Sequence, residues 1–95
     1  MSQEIEQIKN KIIPALKRAG VTRSSVFGSV VRGEASENSD VDILVELPKG
    51  KTLLDLVGLE LELKDILQRD VDLLTYRSIS PYLKDIILRE QVQIL

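Results

Sequence analysis

Apolar positions recur along this chain with two different periods, and the alternation between them predicts its elements. Over residues 3–19, Ile5, Ile8, Ile12, Leu16 and Ala19 fall three or four apart, the stripe of an amphipathic helix. Gly20 follows as a stop. Pro14 removes one backbone donor inside this stretch, so a kink or a late helix start is expected there. Residues 24–28 form a short stretch carrying Val26 and Phe27 that meets a turn-like Gly-Ser, read as a strand passing into a short helix. A loop rich in Gly, Ser, Glu and Asn comes next.

Residues 40–46 alternate with the period of a strand: Val41, Ile43 and Val45 on one face, Asp40, Asp42 and Leu44 on the other. Pro48, Lys49 and Gly50 close it. Residues 52–67 predict a helix, and residues 71–75 a third strand in which Val71 and Leu73 oppose Asp70 and Asp72. Ser80-Pro81 is a helix start, with Ser as cap and Pro at the first helical position. The last helix then covers residues 81–90, and residues 91–95 suit a short edge strand. The order is helix, strand, short helix, strand, helix, strand, helix, which implies an α/β (α+β) layer fold with helices packed on a small sheet.

Composition narrows the chemistry. A chain of 95 residues, 43% apolar and 29% charged, fits one globular domain spanning residues 1–95. It has neither cysteine nor histidine. Disulfides, thiolate zinc sites, cysteine nucleophiles and Ser-His catalysis are therefore excluded, and carboxylates with hard, oxygen-loving cations are what remains. No run approaches the roughly 18 apolar residues of a membrane span, and the first residues lack the apolar core of a signal peptide, so a cytoplasmic protein is expected. A net charge of -2 with a pI near 5.1 argues against a nucleic-acid template as the main partner.

Asp40 and Asp42, two apart on a strand, leave the same face and can share metal ions. Two adjacent carboxylates repel, and a cation is the physical reason to keep both ionised. Upstream, Gly28-Ser29 lies where a strand meets a helix, where a glycine lets backbone approach a phosphate and a serine hydroxyl adds a donor. Asp72 could supply a third carboxylate from a neighbouring strand, with Asp70 as its rival on the same face.

Each residue also has a plainer reading. Acid-x-acid pairs are usually solvated strand edges, Ser29 could be a helix cap, and Asp72 a surface acid. Arg32 could reach a phosphate, but an exposed ion pair with Glu34 competes. Ser39 could simply hydrogen-bond within its loop. Lys49 and Lys51 suit a solvated turn as well as a phosphate contact. The outer face of helix 52–67, with more leucines than one core face needs, is either a partner interface or a surface buried within the domain.

The ordered combination is far more specific than its parts. Gly28-Ser29, ten intervening residues, Asp40-x-Asp42 and a single acid in a later apolar strand resemble the signature of the polymerase-beta-like nucleotidyltransferase superfamily. The stretch VFGSVVRGEASENSDVDILVE, residues 26–46, is similar to its minimal members, the MNT proteins. RDVDLLT, residues 69–75, and ISPYLKDIILREQVQIL, residues 79–95, extend the likeness over nearly the whole chain.

The resemblance implies a nucleotidyltransferase fold with a small mixed sheet. It implies Gly28 and Ser29 on the triphosphate, with Arg32 and Ser39 as further nucleotide-binding candidates. Asp40, Asp42 and Asp72 become the metal and catalytic triad, holding two Mg2+ ions, with Asp72 as general base. It further implies an MntA-like antitoxin that moves AMP from ATP to a tyrosine of a HEPN-type toxin partner. Two rivals stand beside it: a non-catalytic module that silences its partner by occlusion, and a transferase acting on a small molecule of the aminoglycoside type. Whether the chain forms a homo-oligomer is left open.

Overall fold

The computed structural model describes residues 3–34 and 39–95, so most of the polar loop expected before Asp40 lies outside the described residues. The elements follow as α1 (Gln3–Arg18), β1 (Arg23–Phe27), α2 (Ser29–Arg32), β2 (Val41–Glu46), α3 (Leu53–Leu67), β3 (Val71–Thr75), a 3-10 turn (Tyr76–Ser78), α4 (Pro81–Glu90) and β4 (Val92–Gln93). The four strands form one mixed sheet in the order β3-β2-β1-β4. β1 runs antiparallel to both β2 and β4, whereas β2 and β3 are parallel and are joined by α3 as their crossover.

One face of the sheet carries Val26, Val41, Ile43, Val45, Val71 and Leu73. It packs with Ile5, Ile8, Ile12, Ala15 and Leu16 of α1 and Leu59, Leu63 and Leu67 of α3 into the main core. Helix α1 runs unbroken across Pro14, so the expected late start does not occur. Pro14 and Asn10, whose carbonyl the missing donor would have served, are both exposed, so water can take that carbonyl. The five residues that α1 buries on its other side hold the helix together.

The second face differs from the sequence expectation. Alternation puts Leu44 with the acids on a polar side, yet it is fully buried, in a small second cluster with Phe27 and Ile79 that α4 borders through Ile87 and Leu88. Buried Ser24 and Ser25 are satisfied, Ser24 donating to the Leu44 carbonyl at 2.8 Å and Ser25 bonding the Tyr76 hydroxyl at 2.8 Å. Helix α3 starts on a reciprocal capping box between Thr52 and Asp55. Its outer leucines Leu53, Leu54 and Leu61 are exposed, so the chain itself does not cover that face. No helix among the described residues is long and apolar enough to cross a membrane.

Candidate active site

The site grows from the register of three strands. Parallel pairing sets Asp42 of β2 directly beside Asp72 of β3, and antiparallel pairing sets Asp42 beside Phe27, the last residue of β1. Paired residues project to the same face, so both carboxylates stand on the α4 side of the sheet. In this register Asp72 of β3 faces Asp42, while Asp70 precedes the strand and its backbone carbonyl accepts the Val41 amide at 2.9 Å. Asp40 sits one residue ahead of β2 rather than within it, and is exposed.

Immediately after Phe27 the chain turns sharply. Gly28 has φ 79 and ψ -149, a region open to glycine and strained for any other residue. A Cβ there would collide with the Asp42 carboxylate, with its Cγ only 3.1 Å away. The missing side chain is thus what lets the turn lie against Asp42. The Gly28 carbonyl accepts the amides of Val31 and Arg32, both at 3.1 Å, which starts α2 and leaves Ser29, half-buried, at its first position.

Asp42 bears the electrostatic strain of this packing. Its pKa is pushed up to about 6, first by burial, then by the like charges of Asp72 and Asp40, with Arg32 opposing the shift. The two acids predicted to act with Asp42 are therefore close enough to repel it. Among the described residues no three acids close into a ready-made ligand cluster. A cation placed here would take some carboxylate oxygens and complete its shell with substrate oxygens and water, as magnesium does. An all-oxygen donor set in a chain without histidine or cysteine suits such a hard cation, and the mutual repulsion at Asp42 is what it would relieve.

The remaining candidates divide. Arg32 pairs with Glu34 at 3.1 Å, which is its plainer reading, and also with both oxygens of Glu90 at 3.0 Å. Ser39 lies one residue before Asp40, and its carbonyl accepts from Arg69 at 3.1 Å. Lys49 and Lys51 are not brought to the acids. They line a groove of about 710 Å³ with Thr22, Tyr76 and Arg77, at the opposite end of β2.

Two residues carry no sequence signal strong enough to single them out. Arg69 ties Ser39 to Glu4 of α1, the latter at 2.8 Å, and so fixes the approach to Asp40. Glu90 accepts the Gly28 amide at 2.7 Å, so the amide that the sequence offers to a phosphate is already engaged by a carboxylate. A faint signal for Glu90 does exist: an acid as the last residue of a helix sits at the negative end of its dipole, where it needs an outside partner.

The nucleotidyltransferase domain family matches residues 9–94, and the chain belongs to it. It is 57% identical over 91 residues to a Methanocaldococcus jannaschii protein named as a candidate protein adenylyltransferase, covering 96% of this chain and 98% of that one. Against the protein adenylyltransferase MntA of Thermococcus cleftensis the identity is 42% over 93 residues, covering 97% and 94%. Two solved structures share the fold. One is a toxin-antitoxin complex with AMP-PNP, with TM-score 0.80, 30% identity and coverage of 92% of this chain and 72% of that chain. The other is a tri-AMPylated Shewanella oneidensis HEPN toxin in complex with MNT antitoxin, with TM-score 0.74, 26% identity and coverage of 95% and 71%.

Proposed function

We propose that this member of the nucleotidyltransferase family transfers AMP from ATP to a tyrosine hydroxyl of a HEPN-type toxin, and so serves as its antitoxin. The observation that carries the reading is the pairing of Asp42 with Asp72 in register, against a glycine turn that only the absence of a Cβ allows so close. Phosphate-binding and cation-binding groups are thereby adjacent. The relatives named as protein adenylyltransferases, and the complex of an AMPylated HEPN toxin with its MNT antitoxin, support AMP as the group moved and a HEPN-type protein as the acceptor.

Asp40, Asp42 and Asp72 would hold Mg2+, two ions in the full reading, which when bound supplies charge neutralisation for the triphosphate and the pyrophosphate leaving group. The chain's own residues do the rest. The turn at Gly28 and Ser29 cradles the triphosphate, with Arg32 and Ser39 on its flank. The acceptor oxygen attacks the α-phosphorus in line, the bond to the β-phosphate oxygen breaks, and pyrophosphate departs. Asp72, exposed beside Asp42, takes the proton of the attacking hydroxyl. A net charge of -2 argues against a nucleic-acid template as the main partner and favours a protein acceptor.

The test incubates the protein with magnesium, labelled ATP and host lysate, beside an Asp40→Ala/Asp42→Ala double variant. A metal-dependent labelled protein band that the double variant fails to produce supports the reading and gives the acceptor by its size. Label on a small molecule alone would replace the protein acceptor. A partner bound tightly yet never labelled with any nucleoside triphosphate would leave occlusion as the mode of action.

A further inference from the structure

The polar group that joins most of the nucleotide side of the site comes from the other end of the chain. Glu90, the last residue of α4, sends its side chain across 62 positions of sequence to the turn after β1. One of its oxygens accepts the Gly28 amide at 2.7 Å and Arg32 Nη1 at 3.0 Å, and the other accepts Arg32 Nη1 at 3.0 Å. Gly28 is the N-cap of α2 and Arg32 its last residue. A single carboxylate therefore grips both ends of the helix that presents Ser29.

That helix has four residues and no side-chain cap bond at its start. One turn is far below the roughly 12 residues at which an isolated helix becomes even marginal, so its geometry must be imposed from outside. The position is also a costly one for an acid. Glu90 lies at the negative end of α4, its side chain is only 19% exposed, and it adds like charge near Asp42. Nothing in α4 itself gains from it, since its hydrogen bonds go to Gly28 and Arg32. Charge-assisted hydrogen bonds to the turn are what offset the cost.

We propose that Glu90 is a positioning residue for the nucleotide, its carboxylate clamping Gly28 and Arg32 so that Ser29 and the Arg32 guanidinium stand where the triphosphate meets them. This rests on the assignment of Gly28 and Ser29 to the triphosphate made above. Reach comes first in the clamp, because one side chain must span both donors, and charge strengthens the bonds that reach allows. Glutamine keeps the length and one oxygen that can accept from both Gly28 and Arg32, but it loses the charge and puts a donating NH2 where the second oxygen accepts from Arg32. Aspartate keeps the charge but is one methylene too short to span both.

The test measures AMP-PNP affinity with magnesium by titration calorimetry on the full chain, for wild type, Ser29→Ala, Glu90→Gln, Glu90→Asp and Glu90→Ala, with thermal melting of each. Glu90→Asp and Glu90→Ala are expected to weaken binding by about tenfold or more, the scale of a lost charge-assisted bond, while Glu90→Gln, which keeps the reach and one acceptor, loses less than either. In AMP-transfer assays the same loss should fall on the KM for ATP more than on kcat. The proposal is overturned if Glu90→Asp binds as well as wild type or better than Glu90→Gln. Tighter binding by Glu90→Ala would also overturn it, making Glu90 a competitor for Arg32 instead. Should Glu90→Ala not fold, the Gln and Asp pair still decides. If wild type does not bind AMP-PNP, or Ser29→Ala binds unchanged, the triphosphate assignment itself is what fails. Weakened Ser29→Ala with unchanged Glu90→Asp removes Glu90 alone.

Discussion

The two faces of the sheet are covered very differently. On one, α1 and α3 bury eight residues between them against the strands, from Ile5 to Leu67. On the other, α4 buries none of its own, a cluster of three buried residues stands in for a core, and Tyr82, Leu83 and Ile86 face outward. Asp42, Asp72 and the Gly28 turn all belong to the thin side. Burial is concentrated on the face opposite the candidate site, so the other can hold repelling acids and a glycine turn over a thinner core.

The sharpest way to break this comparison is to separate the two properties. Asp42→Ala is expected to lower AMP transfer by about a thousandfold or more, because charge stabilisation of phosphoryl transfer is lost, while the melting temperature holds or rises. Labelled transfer and thermal melting on the same preparation check it, and an unfolded Asp42→Ala protein would show that the thin face carries stability after all.

Core truncations should show the inverse asymmetry. Ile12→Ala, at a position 0% exposed in the main core, is expected to cost about 3 kcal/mol in denaturant unfolding. Ile86→Ala, 54% exposed on α4, should change stability by less than about 0.5 kcal/mol. Comparable losses at both sites would erase the distinction between the faces.

A smaller effect concerns pH. Burial, together with the charges of Asp72 and Asp40, raises the Asp42 pKa from 3.8 to about 6, so between these values the folded state binds more protons than the unfolded chain. Stability from this group is therefore complete below about pH 3.8 and is lost as pH rises through about 6. After discounting for solvent screening, the loss is about 1 kcal/mol. In metal-free buffer Asp42→Asn should remove this slope, and unfolding curves from about pH 4 to about pH 7 that keep it would place the shift elsewhere. Away from both faces' buried residues, Thr52→Ala removes the cap of α3 and should cost about 0.5 to 1 kcal/mol of stability with AMP transfer unchanged.

Much of the fold is legible in the residue pattern alone. Helical spacing of Ile5 to Leu16 and alternation from Val41 to Val45 report which side of an element faces a core, because both periods are properties of the local backbone. The strands expected at residues 24–28 and 71–75, and the Ser80 cap with Pro81, appear within a residue of their expected bounds. Spacing singles out Gly28 and Asp42, though not the collision that makes glycine necessary there. The burial of Leu44 is not legible, because alternation marks two faces without saying whether each is covered. At Pro14 the local cost is legible, while the five buried neighbours on the other side of α1 that decide the outcome are not.

What the sequence determined by itself is therefore whatever short-range geometry can express: helix and strand identity, capping, the two-residue spacing of Asp40 and Asp42, and a side-chain inventory without histidine or cysteine. Tertiary structure alone decided the rest. It set Asp72 beside Asp42 through the register of two parallel strands, and it brought Arg69 to Ser39 and Glu90 to Gly28. The physical reason is distance along the chain. A contact across 30 or 62 positions leaves no periodicity in the residues that make it, and exists only once the sheet and its helices have closed.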